Sequence, residues 1–397
     1  PQMVRGNWQN LNGWWECAIQ NLEAPKPISF TEKILVPFAP ESRLSGVEHV
    51  LQPDEKLWYR RGFRVNHAAD EVVMLHFGAV DFACELWING RRVGEHWGGY
   101  LPFSFDITSA LLEGQNELVV MVRDDTEAAL HQKGKQRLQP GGIWYTSVSG
   151  IWQTVWLEVL PNQHICSLKI TPSIDTGMLE LKVKVSDQAL VQGCQIVAIA
   201  GFEGREVARA SGGSKSTLIL PIPDARLWHP DHPHLYDLEV RLLDGDEELD
   251  CVDTYFGMRK VEVKNGHVLL NNRPIYQRLV LDQGYWPDTL LTPPSDEAIK
   301  ADVEWTLKLG FNGARKHQKI EDPRYYYWAD KLGMLVWSEV PSPYDFTRDT
   351  VRNFADTFLD SINRDYNHPC IIAWTPVNES WGVPDIYADK RQQATAK

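Results

Sequence analysis

The sequence predicts a multidomain chain: an all-β jelly roll or sandwich, a second β-sandwich of immunoglobulin-like size, then strands alternating with helices. Three observations lead there. Up to about residue 258, alternating apolar and polar runs are separated by Gly- and Pro-rich turns, with no long helical period. After about 260, short apolar runs alternate with helix-length segments. The last such run, Ile371-Ile372-Ala373-Trp374, leads through Thr375-Pro376-Val377 into Asn378-Glu379. That places a carboxylate where a strand meets its loop, the face that carries the chemistry in a β/α barrel.

Residues 1–160 form the first unit. Glu71–Phe77 and Asn116–Val122 are strand-like runs, and Cys84–Ile88 alternates before meeting Asn89-Gly90, a strong hairpin signal. Phe103–Ile107 alternates again, and Gly141–Trp144 and Gly150–Glu158 are expected to supply the closing strands. The second unit, 163–258, contains strictly alternating Leu179–Val185, then Gln195–Ala200 and Leu235–Leu242. The third unit, 261–397, opens with a strand expected over Ile275–Leu281. A helix follows from Asp296 to Leu309, with Ser295 as its N-cap. Then come a strand at Phe311–Arg315, a helix from Pro323 to Leu332 stopped by Gly333, and a strand at Met334–Ser338. A helix from Val351 to Tyr366, the strand to Trp374 and a helix over Asp385–Lys397 complete the series.

Composition narrows the function classes. The chain has 397 residues, 43% of them hydrophobic, enough for packed cores. Its net charge of −13 disfavours nucleic acid and anionic membranes as partners. No long uncharged apolar run suggests a membrane span. The six cysteines lack CxxC spacing, which argues against a zinc site or a dense disulfide framework. The opening Pro1-Gln2-Met3 has neither a charged nor an apolar leader character. The sixteen tryptophans suit sandwich cores or sugar-stacking surfaces.

Taken together, these segments resemble glycoside hydrolase family 2, the family of β-galactosidases, β-glucuronidases and β-mannosidases. In the first unit the resemblance rests on Phe77-Gly78-Ala79-Val80-Asp81, Trp87-Ile88-Asn89-Gly90, Gly98–Phe103 and Gly150-Ile151-Trp152-Gln153. In the second it rests on Leu227-Trp228-His229-Pro230, Pro233–Tyr236 and Phe256-Gly257-Met258-Arg259. The third, from Leu270-Asn271-Asn272-Arg273-Pro274 to Asn378-Glu379, resembles the opening half of the family's (β/α)8 TIM barrel. The resemblance implies retaining hydrolysis of a terminal β-glycoside, which needs two carboxyls about 5–5.5 Å apart across the anomeric carbon.

By position after the fourth strand, Glu379 resembles the family's acid/base, and Asn378 the residue that binds the sugar 2-hydroxyl. The nucleophile of the family follows a seventh strand, and no residue here matches it. The resemblance therefore implies an N-terminal portion, inactive alone, with about 115 residues of barrel to follow. Glu339, closing the third strand, is a tempting second carboxylate; the resemblance points instead to a buried hydrogen-bonding or substrate-contact role. His317 resembles a subsite residue, and Arg315 is expected to pair with a barrel carboxylate or contact substrate. Asp282, Tyr285 and Trp286 stand where the family has an Asn/Arg-His-rich segment that lines the pocket, so Asp282 is expected to contact substrate, and the departure leaves the sugar open. Trp381 could stack on a sugar or on its own loop. Asp81, Trp87 and Tyr100 are expected to determine the first fold. The segment Val340–Asp345 lacks the His of the family's Mg²⁺ site, so no metal and no cofactor is expected.

β-Galactosides are the expected substrates. A β-glucuronidase is the near alternative, and a non-catalytic carbohydrate-binding or scaffolding fragment is a reading from a different class. The expected partners are a carbohydrate and, through open strand edges, a further copy of the chain.

Overall fold

The computed structural model describes residues 2–127 and 131–395. Two antiparallel sheets form the first sandwich. Its six-stranded sheet runs in the order Glu32–Val36, Gly13–Asn21, Glu55–Arg64, Gln115–Arg123, Ala83–Ile88 and Arg91–Trp97. The four-stranded sheet facing it runs Trp8–Asn10, Val155–Pro161, Glu71–Phe77 and Phe103–Asp106. The period-two pattern explains the packing. Val73, Leu75 and Phe77 point inward from one strand and meet Trp15, Tyr59 and Val120 from the opposite sheet. Asn89 (φ 51°) and Gly90 (φ 78°) both adopt left-handed conformations and turn Ala83–Ile88 into Arg91–Trp97. Gly141–Trp144 form a turn rather than the expected strand, because Gly142 sits at φ 62°. The chain pairs only beyond it, Tyr145–Thr146 running parallel to Gln136–Arg137.

Seven strands build the second sandwich. Ile165–Ser173, Met178–Val185 and Thr217–Pro221 face a sheet of Arg205–Gly213, Gln195–Phe202, Tyr236–Asp244 and Glu247–Phe256. Leu179, Leu181, Ile196, Leu238 and Val240 fill the space between. Arg5 anchors the start of the chain here, its guanidinium donating to Asp250 at 2.9 and 2.8 Å.

A small antiparallel sheet (Val261–Lys264, His267–Leu270, Arg273–Pro274) precedes the α/β unit. The unit itself holds four parallel strands in sequence order, β1 (Leu279–Asp282), β2 (Gly313–Lys316), β3 (Leu335–Glu339) and β4 (Ile371–Thr375). Helices α1 (Asp296–Lys308), α2 (Pro323–Leu332) and α3 (Arg348–Asp365) connect them, and α4 (Lys390–Thr395) follows.

Local chemistry sets the ends. Ser295 Oγ accepts from Ala298 N at 3.1 Å, and Asp322 caps α2, which Gly333 closes at φ 79°. Thr347 caps α3 by accepting from Thr350 N at 3.1 Å, so the helix begins at Arg348, three residues ahead of the expected start. Strand β1 begins at Leu279 rather than Ile275. Before it, Asn312 replaces ladder bonds with its side chain, donating to Tyr276 O at 2.8 Å and accepting from Arg278 N at 2.7 Å. Of the helix expected over 385–397, the part before Lys390 is turn, and 396–397 lie outside the described residues. No helix among the described residues is long and apolar enough to cross a membrane.

Two joints fuse the units. Trp228, fully buried, packs with Leu335, Ala329 and Ile371 and donates Nε1 to Asp330 O at 2.9 Å. The Asp330 carboxylate accepts from Tyr255 OH (2.9 Å) and Cys370 N (2.8 Å) and meets His368 Nδ1 at 2.6 Å. One buried carboxylate thus ties the second sandwich to α2 and to the approach of β4. On the opposite side, Trp152, Tyr100 and Val148 of the first sandwich pack with Leu291, Ile320 and Val340 of the α/β loops.

Asp330→Ala leaves these donors buried without an acceptor. It is expected to cost about 3–5 kcal/mol, read as a lowered urea midpoint with the two sandwiches retaining their β-sheet circular dichroism.

Candidate active site

Parallel strands put their C-terminal ends on one face, so Asp282, Lys316 and Glu339, the last residues of β1, β2 and β3, and the Asn378-Glu379 pair just beyond β4 come to the same side. Glu339 has no exposed surface. A carboxylate there requires compensation, and β2 supplies it. Arg315 donates to Glu339 Oε2 through Nε (2.9 Å) and Nη2 (2.6 Å), and Gln318 N donates to Oε1 at 2.9 Å. His317 Nδ1 lies 3.2 Å from the same Oε1. Arg315 Nη2 also donates to Asn378 Oδ1 at 2.8 Å. The chain from Glu339 through Arg315 to Asn378 fixes the amide beside Glu379. Both Glu339 oxygens accept hydrogen bonds in this network.

Glu379 differs from its neighbours. It is exposed, and its carboxylate makes no hydrogen bond or ion pair among the described residues. Its backbone lies at φ 50° and that of Ser380 at φ 65°. Non-glycine residues held there cost of order 1–3 kcal/mol each. Strain of this kind concentrates where a side chain must be aimed, here on the acidic residue and its successor.

A second charged cluster sits under β1 and β2. Asp282 accepts from Lys316 Nζ at 2.6 Å and from Gly284 N at 2.8 Å. Lys316 and Lys319, both buried, flank Glu321 at 2.7 and 2.9 Å. Lys319 also donates to Gly284 O and Leu291 O at 2.8 and 2.7 Å. Burial opposes the charge of Glu321, but the two ammonium groups outweigh it and hold the carboxyl down to about 2. Burial also opposes Lys316, and Asp282 with Glu321 overcomes it, raising that pKa; for Lys319 burial wins and lowers it. Asp282 is thus held by its own cluster. The sequence reading did not single out Lys316, Lys319 and Glu321 as a unit, although the run Arg315–Glu321 carried the signal: five ionisable side chains in seven residues after a short strand.

The first sandwich reaches this face. Trp144 stacks on Trp381 (centroids 5.4 Å apart, 25°), and Tyr344 completes the cluster at 5.2 Å from Trp381. Arg137 lies 4.4 Å from the Trp144 ring, and Lys135 5.6 Å from the Trp381 ring. Tyr344 OH donates to Gly134 O. Tyr285 stacks on Tyr145 at 4.0 Å. An apolar cavity of about 280 Å³ lies beside the site, between Val377–Val383 and α3, and its lining includes neither Asn378 nor Glu379. Among the described residues, the groups able to gather three metal-ligand atoms lie elsewhere: Asp81, Asp124 and His131 in the first sandwich, and Glu239, Cys251 and Asp253 in the second.

Because Glu321 is depressed in the native state, its stabilisation is present above the carboxylate's unfolded pKa, near 4.3, and is lost as pH falls toward about 2. Glu321→Gln should cost about 3–5 kcal/mol at pH 7 and much less near pH 2.5, measured by urea melts at both pH values.

Family signatures match the two sandwiches: "Glycosyl hydrolases family 2, sugar binding domain" over residues 3–161 and "Glycosyl hydrolases family 2" over 163–259. A "Putative beta-glucuronidase" of Formosa agariphila is 29% identical over 342 residues, covering 83% of this chain and 40% of that protein. A beta-galactosidase of Thermoanaerobacter pseudethanolicus is 27% identical over 352 residues, covering 85% of this chain and 46% of that protein. The chain thus spans less than half the length of either relative. Its fold matches that of a β-glucuronidase from Ruminococcus gnavus, solved with D-glucuronic acid, at a TM-score of 0.84 and 22% identity over 100% of this chain and 72% of that one. The two sandwiches, their order and the sequence relatives lead to one conclusion: the chain belongs to glycosyl hydrolase family 2.

Proposed function

We propose that the chain is the N-terminal portion of a retaining, exo-acting β-glycosidase that releases terminal β-D-glycosides, foremost β-galactosides. Its four parallel strands are the opening half of the catalytic (β/α)8 barrel. The observation that carries the reading is the pairing of an exposed, strained Glu379 with an Asn378 locked by Arg315 and Glu339. In this reading Glu379 first donates its proton to the glycosidic oxygen, then takes one from the attacking water. Asn378 holds the 2-hydroxyl, a contact that tightens as the oxocarbenium-like transition state forms. Glu339 is spoken for by Arg315 and Gln318 N, so the nucleophile is assigned to a residue outside 1–397.

A β-glucuronide is the second reading. The observation favouring it is Lys135, which brings positive charge to the Trp144–Trp381 stack where a substrate carboxylate could be met; the neighbouring Arg137 is already paired with Glu127 at 2.9 Å.

In the complete protein, Glu379→Gln should cut turnover of alkyl glycosides by at least about 10²-fold. Glycosylation by substrates with activated leaving groups should suffer less, because they need little protonation. A panel of nitrophenyl glycosides, with β-galactoside and β-glucuronide compared directly, identifies the sugar. Equal turnover of mutant and parent on an unactivated glycoside would rule the assignment out.

Arg315→Lys should lower kcat/KM by about 10- to 100-fold, since an ammonium cannot hold Glu339 and Asn378 together. The loss should shrink on a 2-deoxy glycoside. A merely structural role for Arg315 would penalise both substrates alike.

A further inference from the structure

Two carboxylates meet inside the first sandwich without a cationic side chain against them. Asp81 and Asp124 are 2% and 3% exposed. Their hydrogen-bond donors are neutral. Gln136 Nε2 donates to Asp81 Oδ2 at 2.9 Å, and Thr126 N, Thr126 Oγ1 and Ser149 Oγ donate to Asp124 at 2.8, 2.9 and 3.0 Å. Glu41 adds a third carboxylate, accepting from Ser149 N at 3.0 Å. Among the described residues, neither Asp81 nor Asp124 forms an ion pair with a lysine or arginine. Lys133 turns its ammonium elsewhere, donating to Glu127 O at 3.5 Å and lying 5.2 Å from the Tyr344 ring. By contrast Glu339 and Glu321, equally buried, are each met by a cation.

His131 completes the group. It is 7% exposed and stacks on Phe82 at 3.7 Å. Its Nε2 lies 3.9 Å from Asp124 Oδ1 and its Nδ1 3.9 Å from Asp125 Oδ1, both beyond hydrogen-bonding reach. Nδ1 has no hydrogen-bond partner among the described residues. One ring nitrogen of His131 and one oxygen each of Asp81 and Asp124 lie within 4.8 Å of one another. Buried charges persist when paired or when they coordinate a metal. Two carboxylate oxygens and one imidazole nitrogen suit a divalent cation of the zinc or manganese class, whereas calcium and magnesium prefer oxygen alone. A tetrahedral ion at about 2.0–2.2 Å sets its ligands about 3.3–3.6 Å apart, so the three side chains close by up to about 1.5 Å on binding. A route in exists, because His131 lines a cavity of about 360 Å³ between the first sandwich and α3. The exposed Asp356 and Asp360 of α3 line the same cavity and attract cations. We propose that Asp81, Asp124 and His131 bind one divalent cation of the zinc or manganese class. The ion fastens the start of the segment that carries Lys135, Arg137 and Trp144 to the Trp381 loop. The inference does not rest on the role of Glu379.

The test uses the complete protein, stripped with a chelator and titrated with Zn²⁺ and with Mn²⁺ by calorimetry, the retained metal being counted by elemental analysis. The parent should bind either ion at this site and melt at a higher temperature than its stripped form. Asp124→Asn removes the charge at nearly constant volume, and His131→Ala removes the nitrogen. Each should weaken binding about tenfold or more and reduce the retained metal by one equivalent per chain. In chelator, Asp124→Asn should melt no lower than the stripped parent, because it removes a buried charge that lacks a cation, so its loss of binding cannot be mistaken for misfolding. Cys251→Ser, in the Glu239–Cys251–Asp253 group of the second sandwich, should leave binding unchanged. Failure of the parent to retain either ion, equal affinity in the parent and both site variants, or a loss caused by Cys251→Ser in their place would overturn the proposal.

Discussion

A carboxylate with no exposed surface governs the loop face of this protein. Glu339 ends β3 wholly buried, and such a charge persists only if nearly every lone pair is met. Arg315 and Gln318 N meet it. The guanidinium is planar and always charged, so satisfying Glu339 also fixes where the second Nη2 N–H points, which is at Asn378. The end of β4 is therefore registered to β2 and β3 by one cation. The left-handed backbone at Gln318 (φ 61°) belongs to the same arrangement, since it is that residue's amide that turns toward Glu339.

The neighbouring lysine cluster obeys the same rule with the signs reversed. Two buried ammonium groups surround Glu321, and Asp282 offsets the excess at the edge. Backbone carbonyls of Gly284 and Leu291 take the remaining protons of Lys319. These bonds hold the β1 loop against the β2 loop. The face that presents Glu379 is thus a stiff platform of compensated charges, with the exposed acid above it. Glu379 itself is aimed by backbone conformation rather than by partners.

The first sandwich contributes to the same face, though its strands are far from Glu379 in sequence. Lys135, Arg137 and Trp144 come from the segment that was expected to end in a closing strand and instead turns at Gly142. Because that stretch is turn, its tryptophan projects out of the sandwich and stacks on Trp381. At this joint the loops of the first sandwich pack on the Trp381 loop, so the two units meet on one face.

By itself the sequence determined the order and type of the units. Strict alternation in Glu71–Phe77 and Leu179–Val185, the Asn89-Gly90 turn, the Ser295 cap and the Gly333 stop are local signals, and local sterics and hydrogen bonding act on them without help from distant residues. The Asn378-Glu379 motif and the pairing of Arg315 with a strand-end carboxylate were legible for the same reason, since strand ends are readable. What only the tertiary structure decided is which residues meet across units. The Trp144–Trp381 stack and the Asp330 joint link positions up to 237 residues apart (381 − 144). No local period encodes such meetings. They follow from burial, which forces each enclosed charge and each large ring to find whatever partner the packing of three units brings within reach.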